Sequence, residues 1–500
     1  MLRFSRRGFL GSSIAAVISS PELNAKSVVT CSSSSLPALR VHAGGHMLET
    51  VEGTAFFWLG DTAWELIHST TREECSYYLQ TRAAQGFTVI QTVVLAEMDG
   101  VHKLSALDLV PFENDDPERP NEAYFQRVVE VVEEAGRRGL YVALLPTWGD
   151  KLTAPWGAGP RLFRNDNQAV ARSYAAYLAR EVQHCTNVVW MLGGDRPARV
   201  DEHFREAATK YGFPENQDWT PIWNAMAEGI TSAWPTPPLF LYHPQGGPIS
   251  TSVLLRDAKW LSVNGIQSGH GSGRDTPTWE LIERDYNIAP PRPVIDLEPN
   301  YEDHPVDPWP TWDPANGYFR EYDVRKQLYR SVFAGGCGVT YGHHAVWQFA
   351  NNRNGVINHA DRDWTDAMVR PAAKQVMYLR RLIESRPFFE RIPDPSMIVT
   401  TYANHFEHSQ ATRDAEGRYA MIYVPNAGQK ITLNLVKLRD VERVGWWFDP
   451  RTGIGQRIDA DLSMAQVQLQ TPMHGPDWVI VIDDASQGFV PPGIVERCHA

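Results

Sequence analysis

Three carboxylates stand where chemistry is plausible: Asp195, Asp296 and Glu298. Asp195 closes the run Asn187-Val188-Val189-Trp190-Met191-Leu192-Gly193-Gly194-Asp195. Strand periodicity puts Val189, Met191, Gly193 and Asp195 on one side, and the two glycines allow another group to approach the backbone closely. Asp296 and Glu298 lie in Arg292-Pro293-Val294-Ile295-Asp296-Leu297-Glu298-Pro299, also on a shared side, so both are expected to enter one cavity. Buried carboxylates are costly unless paired or functional. Each therefore has two readings. Either it is an ion pair with Arg196, Arg292 or Arg325, or it is half of an acid and base pair. A protonated carboxyl opposite an ionised one is what glycosidic bond cleavage needs.

Eight short apolar runs could position them: Phe56–Asp61, Val89–Leu95, Leu140–Thr147, Val188–Asp195, Leu239–His243, Leu261–Gln267, Val294–Glu298 and Val339–His344. Amphipathic stretches lie between, among them Arg72–Gln85, Ala123–Arg138, Gln168–Gln183, Thr276–Asp285 and Asp363–Glu384. Eight strand-then-helix units predict a closed (β/α)8 TIM barrel over residues 40–385. An open sheet would not gather the polar strand ends at one mouth; a barrel does. On this reading Asp61, Trp64, Glu97, Trp148, Asp150, His243, Gln267, His270, Tyr341, His343 and His344 are candidates to bind sugar hydroxyls or faces. For each, a structural hydrogen bond is an equally good explanation. His343 and His344 are adjacent, so they point apart and cannot easily share an ion; neither metal nor cofactor is expected.

Past about residue 385 the pattern changes. Ser396–Tyr402, Tyr419–Val424, Lys430–Leu435, Val441–Asp449, Ala465–Gln470 and Trp478–Ile482 predict strands of a small antiparallel β-sandwich over 386–486, with an irregular tail over 487–500. The N-terminus, Ser5-Arg6-Arg7-Gly8-Phe9-Leu10 followed by a short apolar run, predicts a twin-arginine (Tat) signal peptide over 1–25. It implies export by the Tat machinery to the periplasm or outside the cell, with no membrane span in the mature chain. A net charge of −12 argues against nucleic-acid binding. The five cysteines are scattered, with no CxxC pair, so buried free thiols are expected.

The chain resembles glycoside hydrolase family 140, the apiosidase-like family with a C-terminal collagen-binding-type sandwich. The carriers are Gly60-Asp61-Thr62-Ala63-Trp64-Glu65-Leu66, Gly86-Phe87-Thr88-Val89-Ile90-Gln91, Leu144-Leu145-Pro146-Thr147-Trp148-Gly149-Asp150-Lys151, Gly193-Gly194-Asp195-Arg196-Pro197, Gln267-Ser268-Gly269-His270, Glu298-Pro299-Asn300-Tyr301-Glu302-Asp303-His304, Tyr341-Gly342-His343-His344 and, in the sandwich, Phe448-Asp449-Pro450-Arg451-Thr452-Gly453. The resemblance implies a catalytic Asp at Asp195, acting as acid/base, and a catalytic Glu at Glu298, acting as nucleophile. It further implies a retaining exo-glycosidase that releases apiose from pectin side chains of the rhamnogalacturonan II type, with an oligosaccharide or polysaccharide as substrate. A carbohydrate-binding or matrix-binding protein without catalysis, and a glycosidase for another sugar, are the alternatives.

Overall fold

The structure is a computed structural model that describes residues 36–495, apart from Met98, residues 154–156, His203, residues 215–216 and Ser272. The expected signal over 1–25 and the cysteines Cys31 and Cys498 lie outside the described residues. Cys75, Cys185 and Cys337 are buried free thiols.

Eight parallel strands form the central sheet: β1 (Trp58–Thr62), β2 (Val89–Leu95), β3 (Tyr141–Thr147), β4 (Val188–Gly193), β5 (Phe240–His243), β6 (Asn264–Ile266), β7 (Val294–Asp296) and β8 (Gly338–Tyr341). Their order is β5-β4-β3-β2-β1-β8-β7-β6. The ring nearly closes on itself. At the seam between β5 and β6, the amides of Ser262 and Val263 both donate to the Phe240 carbonyl, at 3.0 and 3.2 Å. This is the predicted TIM barrel, with β6 shorter than the run Leu261–Gln267 suggests. A three-stranded antiparallel sheet (Leu39–Val41, Leu48–Thr50, Ala55–Phe56) precedes β1, and its Phe56 packs edge-on against Tyr141 at the start of β3.

The helices follow from local sequence. Thr71 and Glu74 make a reciprocal capping box at the start of Arg72–Ala84. Glu122–Arg137 starts at the Asn121 cap and buries Tyr124, Val128, Val131, Val132 and Ala135, one apolar stripe against the barrel. The predicted helix Asp363–Glu384 is two: Trp364–Ala367 and Pro371–Glu384. Pro371 cannot continue a helix but readily begins one.

The C-terminal region pairs six antiparallel strands in the order Arg391–Pro393, Gln410–Asp414, Tyr419–Val424, Trp478–Asp484, Arg443–Asp449, Ile454–Arg457, faced by the two-stranded antiparallel sheet of Lys430–Asn434 and Gln466–Gln470. Alternation divides the central strand. Ala420, Ile422 and Val424 face the core shared with the two-stranded sheet, while Tyr419, Met421 and Tyr423 join the core of the barrel. The ion pair Arg325–Asp477 (2.8 Å) joins the barrel's helix Glu321–Phe333 to the sandwich. The expected strand Ser396–Tyr402 is absent. Pro395–Met397 is a 3-10 turn capped by Asp394, and Ile398 makes only a single bridge to Leu433. Three polar strands, Arg391–Pro393, Gln410–Asp414 and Ile454–Arg457, carry no apolar alternation that would announce them.

Candidate active site

At the C-terminal end of β4 the backbone turns left-handed at three successive residues: Gly193 (φ 95), Gly194 (φ 104) and Asp195 (φ 51). A Cβ on Gly193 would lie 2.3 Å from the His243 carbonyl oxygen, so glycine is required for β4 to close on β5. The turn presents Asp195 at the barrel mouth, its side chain 20% exposed. The Asp195 amide donates to His243 Nδ1 at 3.2 Å. Arg196 Nη1 donates to the Asp195 carbonyl at 2.7 Å and lies 3.4 Å from Oδ2. The Gln245 amide group lies 3.3 Å from Oδ1 and 2.8 Å from the backbone oxygen, and the Gln267 amide faces the carboxyl. Burial raises the Asp195 carboxyl above the usual carboxylate range and the charge of Glu298 adds to it, against the opposing pull of Arg196 and His243.

Glu298 sits across the mouth, two residues past the end of β7. His243 Nε2 is 2.9 Å from its Oε2 and His270 Nε2 is 3.0 Å from its Oε1. Because His243 Nδ1 accepts from the Asp195 amide, its proton resides on Nε2, close to Glu298 Oε2 but out of line for a hydrogen bond. One imidazole therefore contacts both carboxylate-bearing segments. Burial would raise the Glu298 carboxyl, but the two histidines outweigh it and hold it down to about 2. The Tyr301 hydroxyl faces the same carboxylate. Trp64 and Trp148 wall His243, with ring centroids 5.0 and 5.7 Å away, and the Trp148 indole N–H is buried without a partner.

Glu97, after β2, faces Asp195, Asp150 and Arg196. Burial, aided by its acidic neighbours, pushes its carboxyl up to about 8. It thus holds a proton at neutral pH. Asp150 is committed elsewhere: Oδ1 pairs with Lys151 at 2.7 Å and Oδ2 accepts from the Ala158 amide at 3.0 Å.

Several expected residues are not brought to the mouth. Asp296 does not share the cavity with Glu298. The strand ends at Asp296 and the chain bends at Leu297 and Glu298, which breaks the strand alternation. Asp296 turns instead to Ser268, and Gln327 of the outer helix donates to that same hydroxyl at 2.8 Å. Burial pushes its carboxyl up to about 7. Asp61 and Tyr341 point outward to the helices, both fully buried. Asp61 pairs with Arg82 at 2.6 Å and accepts from Tyr78; Tyr341 donates to Glu302 at 2.8 Å. His343 caps the amide of Ala345 and pairs with Asp303 at 3.2 Å. His344 contacts the Asn358 carbonyl at 2.8 Å. Its ring meets His304 edge-on, and His304 stacks on His270 at 4.2 Å.

Tyr301, Gln245 and His304 are site residues that the strand-end argument misses. Each lies two or more residues beyond a strand, where periodicity no longer says which way a side chain points. Away from the mouth, Glu133, His184 and Cys185 bring ligand atoms within 4.8 Å of one another, where Glu133 and His184 already pair at 3.0 Å.

Residues 42–390 match the family model described as "Apiosidase-like, catalytic domain", and residues 392–483 match that of a collagen-binding domain of a collagenase. No curated protein matches the chain. Among solved structures, a glycoside hydrolase family 5 protein from Bacteroides vulgatus ATCC 8482 is 28% identical, with a TM-score of 0.76 over 92% of this chain and 95% of that one. A second, titled simply a glycoside hydrolase, is 27% identical, with a TM-score of 0.76 over 90% and 97%. No helix of the described residues is long and apolar enough to cross a membrane.

Proposed function

This chain belongs to the apiosidase-like family of glycoside hydrolases, and from that premise we propose a retaining exo-glycosidase in which Glu298 is the nucleophile and Asp195 the acid/base. One observation carries the reading. Two carboxyl groups at one mouth are driven apart in proton affinity, Glu298 down to about 2 by two histidines and Asp195 upward by burial and by Glu298 itself.

The chemistry follows. Ionised Glu298 attacks the anomeric carbon while Asp195 delivers its proton to the departing glycosidic oxygen. Bond formation removes the negative charge of Glu298. That charge was part of what kept Asp195 protonated, so its loss lowers the proton affinity of Asp195 and leaves it as the carboxylate that serves as base in the next step. It then takes a proton from water, and the resulting hydroxide displaces Glu298 from the sugar. The His270 N–H holds Glu298 Oε1 by a hydrogen bond, and His243 stands beside Oε2.

For substrate we propose apiose-bearing side chains of pectin, of the rhamnogalacturonan II type, in keeping with the family. The paired arginines Arg6 and Arg7 support export by the Tat machinery. The test is to incubate the purified protein with pectic side-chain oligosaccharides and follow release by proton NMR. Apiose appearing first in the anomeric configuration of the substrate is the expected result. Release of another sugar would refute the substrate, and inversion would refute the nucleophile role of Glu298.

A further inference from the structure

Trp309 stands out among the tryptophans of the described residues. Trp58, Trp64, Trp148, Trp190, Trp223, Trp279, Trp364 and Trp478 are all buried, whereas Trp309 is 61% exposed. Leaving so large an apolar ring in water forgoes the stabilisation of burying it. Neither chain end nor loose loop explains it. The segment 305–318 follows β7 at the mouth and is stitched at its base: Phe319 donates to the His304 carbonyl at 2.9 Å and Val306 to the Gly317 carbonyl at 2.9 Å. Within it Trp312 packs on Tyr318 and His359, each with ring centroids 5.0 Å apart.

Trp309 is also close to the chemistry. Its ring lies 5.8 Å from His304, His304 stacks on His270 at 4.2 Å, and His270 touches Glu298. Two ring contacts thus connect it to the histidine that holds the carboxylate, a distance that a short oligosaccharide spans. Its neighbours Asp307, Thr311 and Asp313 are exposed and polar. An exposed apolar ring with polar neighbours along the chain suits a pyranose or furanose ring, which offers C–H bonds on one face and hydroxyls at its edge.

We propose that Trp309 is a stacking platform for a sugar unit of the substrate beyond the one whose bond is cleaved, and so sets a preference for longer chains. The proposal rests on the glycosidase reading above. Trp309 acts on binding and not on the reacting atoms. Trp309→Ala is therefore expected to raise KM for a pectic side-chain oligosaccharide about tenfold, with kcat within about twofold, and Trp309→Phe to keep most of the affinity. A 4-nitrophenyl glycoside of the released sugar, too short to reach the platform, should be cleaved equally by wild type and Trp309→Ala. Unchanged KM for the oligosaccharide, or equal losses on both substrates, would overturn it.

A second measurement separates this from failure of the catalytic reading. Iodide quenching of tryptophan fluorescence in the full-length wild type should be relieved by the same oligosaccharide, and Trp309→Phe should abolish that relief whether or not hydrolysis occurs. No protection would refute the platform even in an active enzyme. A sedimentation mass that falls on Trp309→Ala would assign the ring to self-association and refute it as well.

Discussion

The inner and outer sides of the same barrel ends carry similar residues in opposite states. On the inside, Glu298 accepts a hydrogen bond from His270 and has His243 2.9 Å from its other oxygen, and Asp195 is 20% exposed, with its oxygens only loosely engaged. On the outside, Asp61 is wholly enclosed by Arg82 and Tyr78. Asp303 there meets Arg320, Arg362, Arg370 and His343. Burial would raise the Asp303 carboxyl, yet the His343 hydrogen bond, together with the charges of Arg362 and Arg370, holds it below the usual carboxylate range. Arginine saturates a carboxylate with a rigid fork of donors and leaves it inert. Histidine offers one N–H per ring and leaves lone pairs for a substrate. The partner, more than the acid, separates chemistry from architecture here.

The sharpest way to break this contrast is to remove one residue from each side. Glu298→Gln and Asp195→Asn should each cut kcat on the order of a thousandfold with little change in melting temperature. Comparable activity in either would dissolve the distinction. Arg82→Ala should do the opposite. It strands Asp61 in a dry interior and should cost about 3–5 kcal/mol in a urea titration, with kcat per folded molecule nearly unchanged.

A smaller effect tests what the histidines do. The folded-state affinity of Glu298 for a proton is depressed, so its contribution to stability is complete above its unfolded value, about 4.3, and is lost as pH falls towards about 2. The acidic limb of kcat/KM should therefore lie low, and the basic limb should report loss of the proton from Asp195. His243→Ala removes one of the two partners. The Glu298 carboxyl should then rise, moving the acidic limb up by about one pH unit while the basic limb moves less. An unmoved acidic limb would mean His243 is only a spacer. Smallest of all, Tyr341→Phe deletes one outward hydrogen bond to Glu302 and should cost about 1 kcal/mol with no kinetic effect.

The barrel was readable because its strands are continuous apolar runs bounded by polar ends, the mark of strands covered on both faces. Asp195 and Glu298 were readable for the same reason, as ionisable groups ending two such runs. Asp61 and Tyr341 look identical in that respect, and only their parity along the strand sends them outward. Asp296 failed the other way: parity was applied across a bend at Leu297 that the sequence does not announce. In the sandwich, Gln410–Asp414 has Ala411 as its one apolar residue and its charges are paired, as in Asp414 with Arg418 at 2.8 Å. Ion-paired strands give no hydrophobic rhythm to read.

The left-handed turn at Gly193, Gly194 and Asp195 also limits how the site can be varied. Among residues with a side chain, aspartate and asparagine accept positive φ far more readily than glutamate or β-branched residues. A saturation library at position 195 should thus return folded protein mainly with aspartate, asparagine and glycine. Asp195→Asn is the swap that keeps the backbone while removing the acid, whereas Asp195→Glu keeps the acid and strains the backbone. The use of the shorter carboxylate on this strand is then a matter of local geometry before it is one of reactivity.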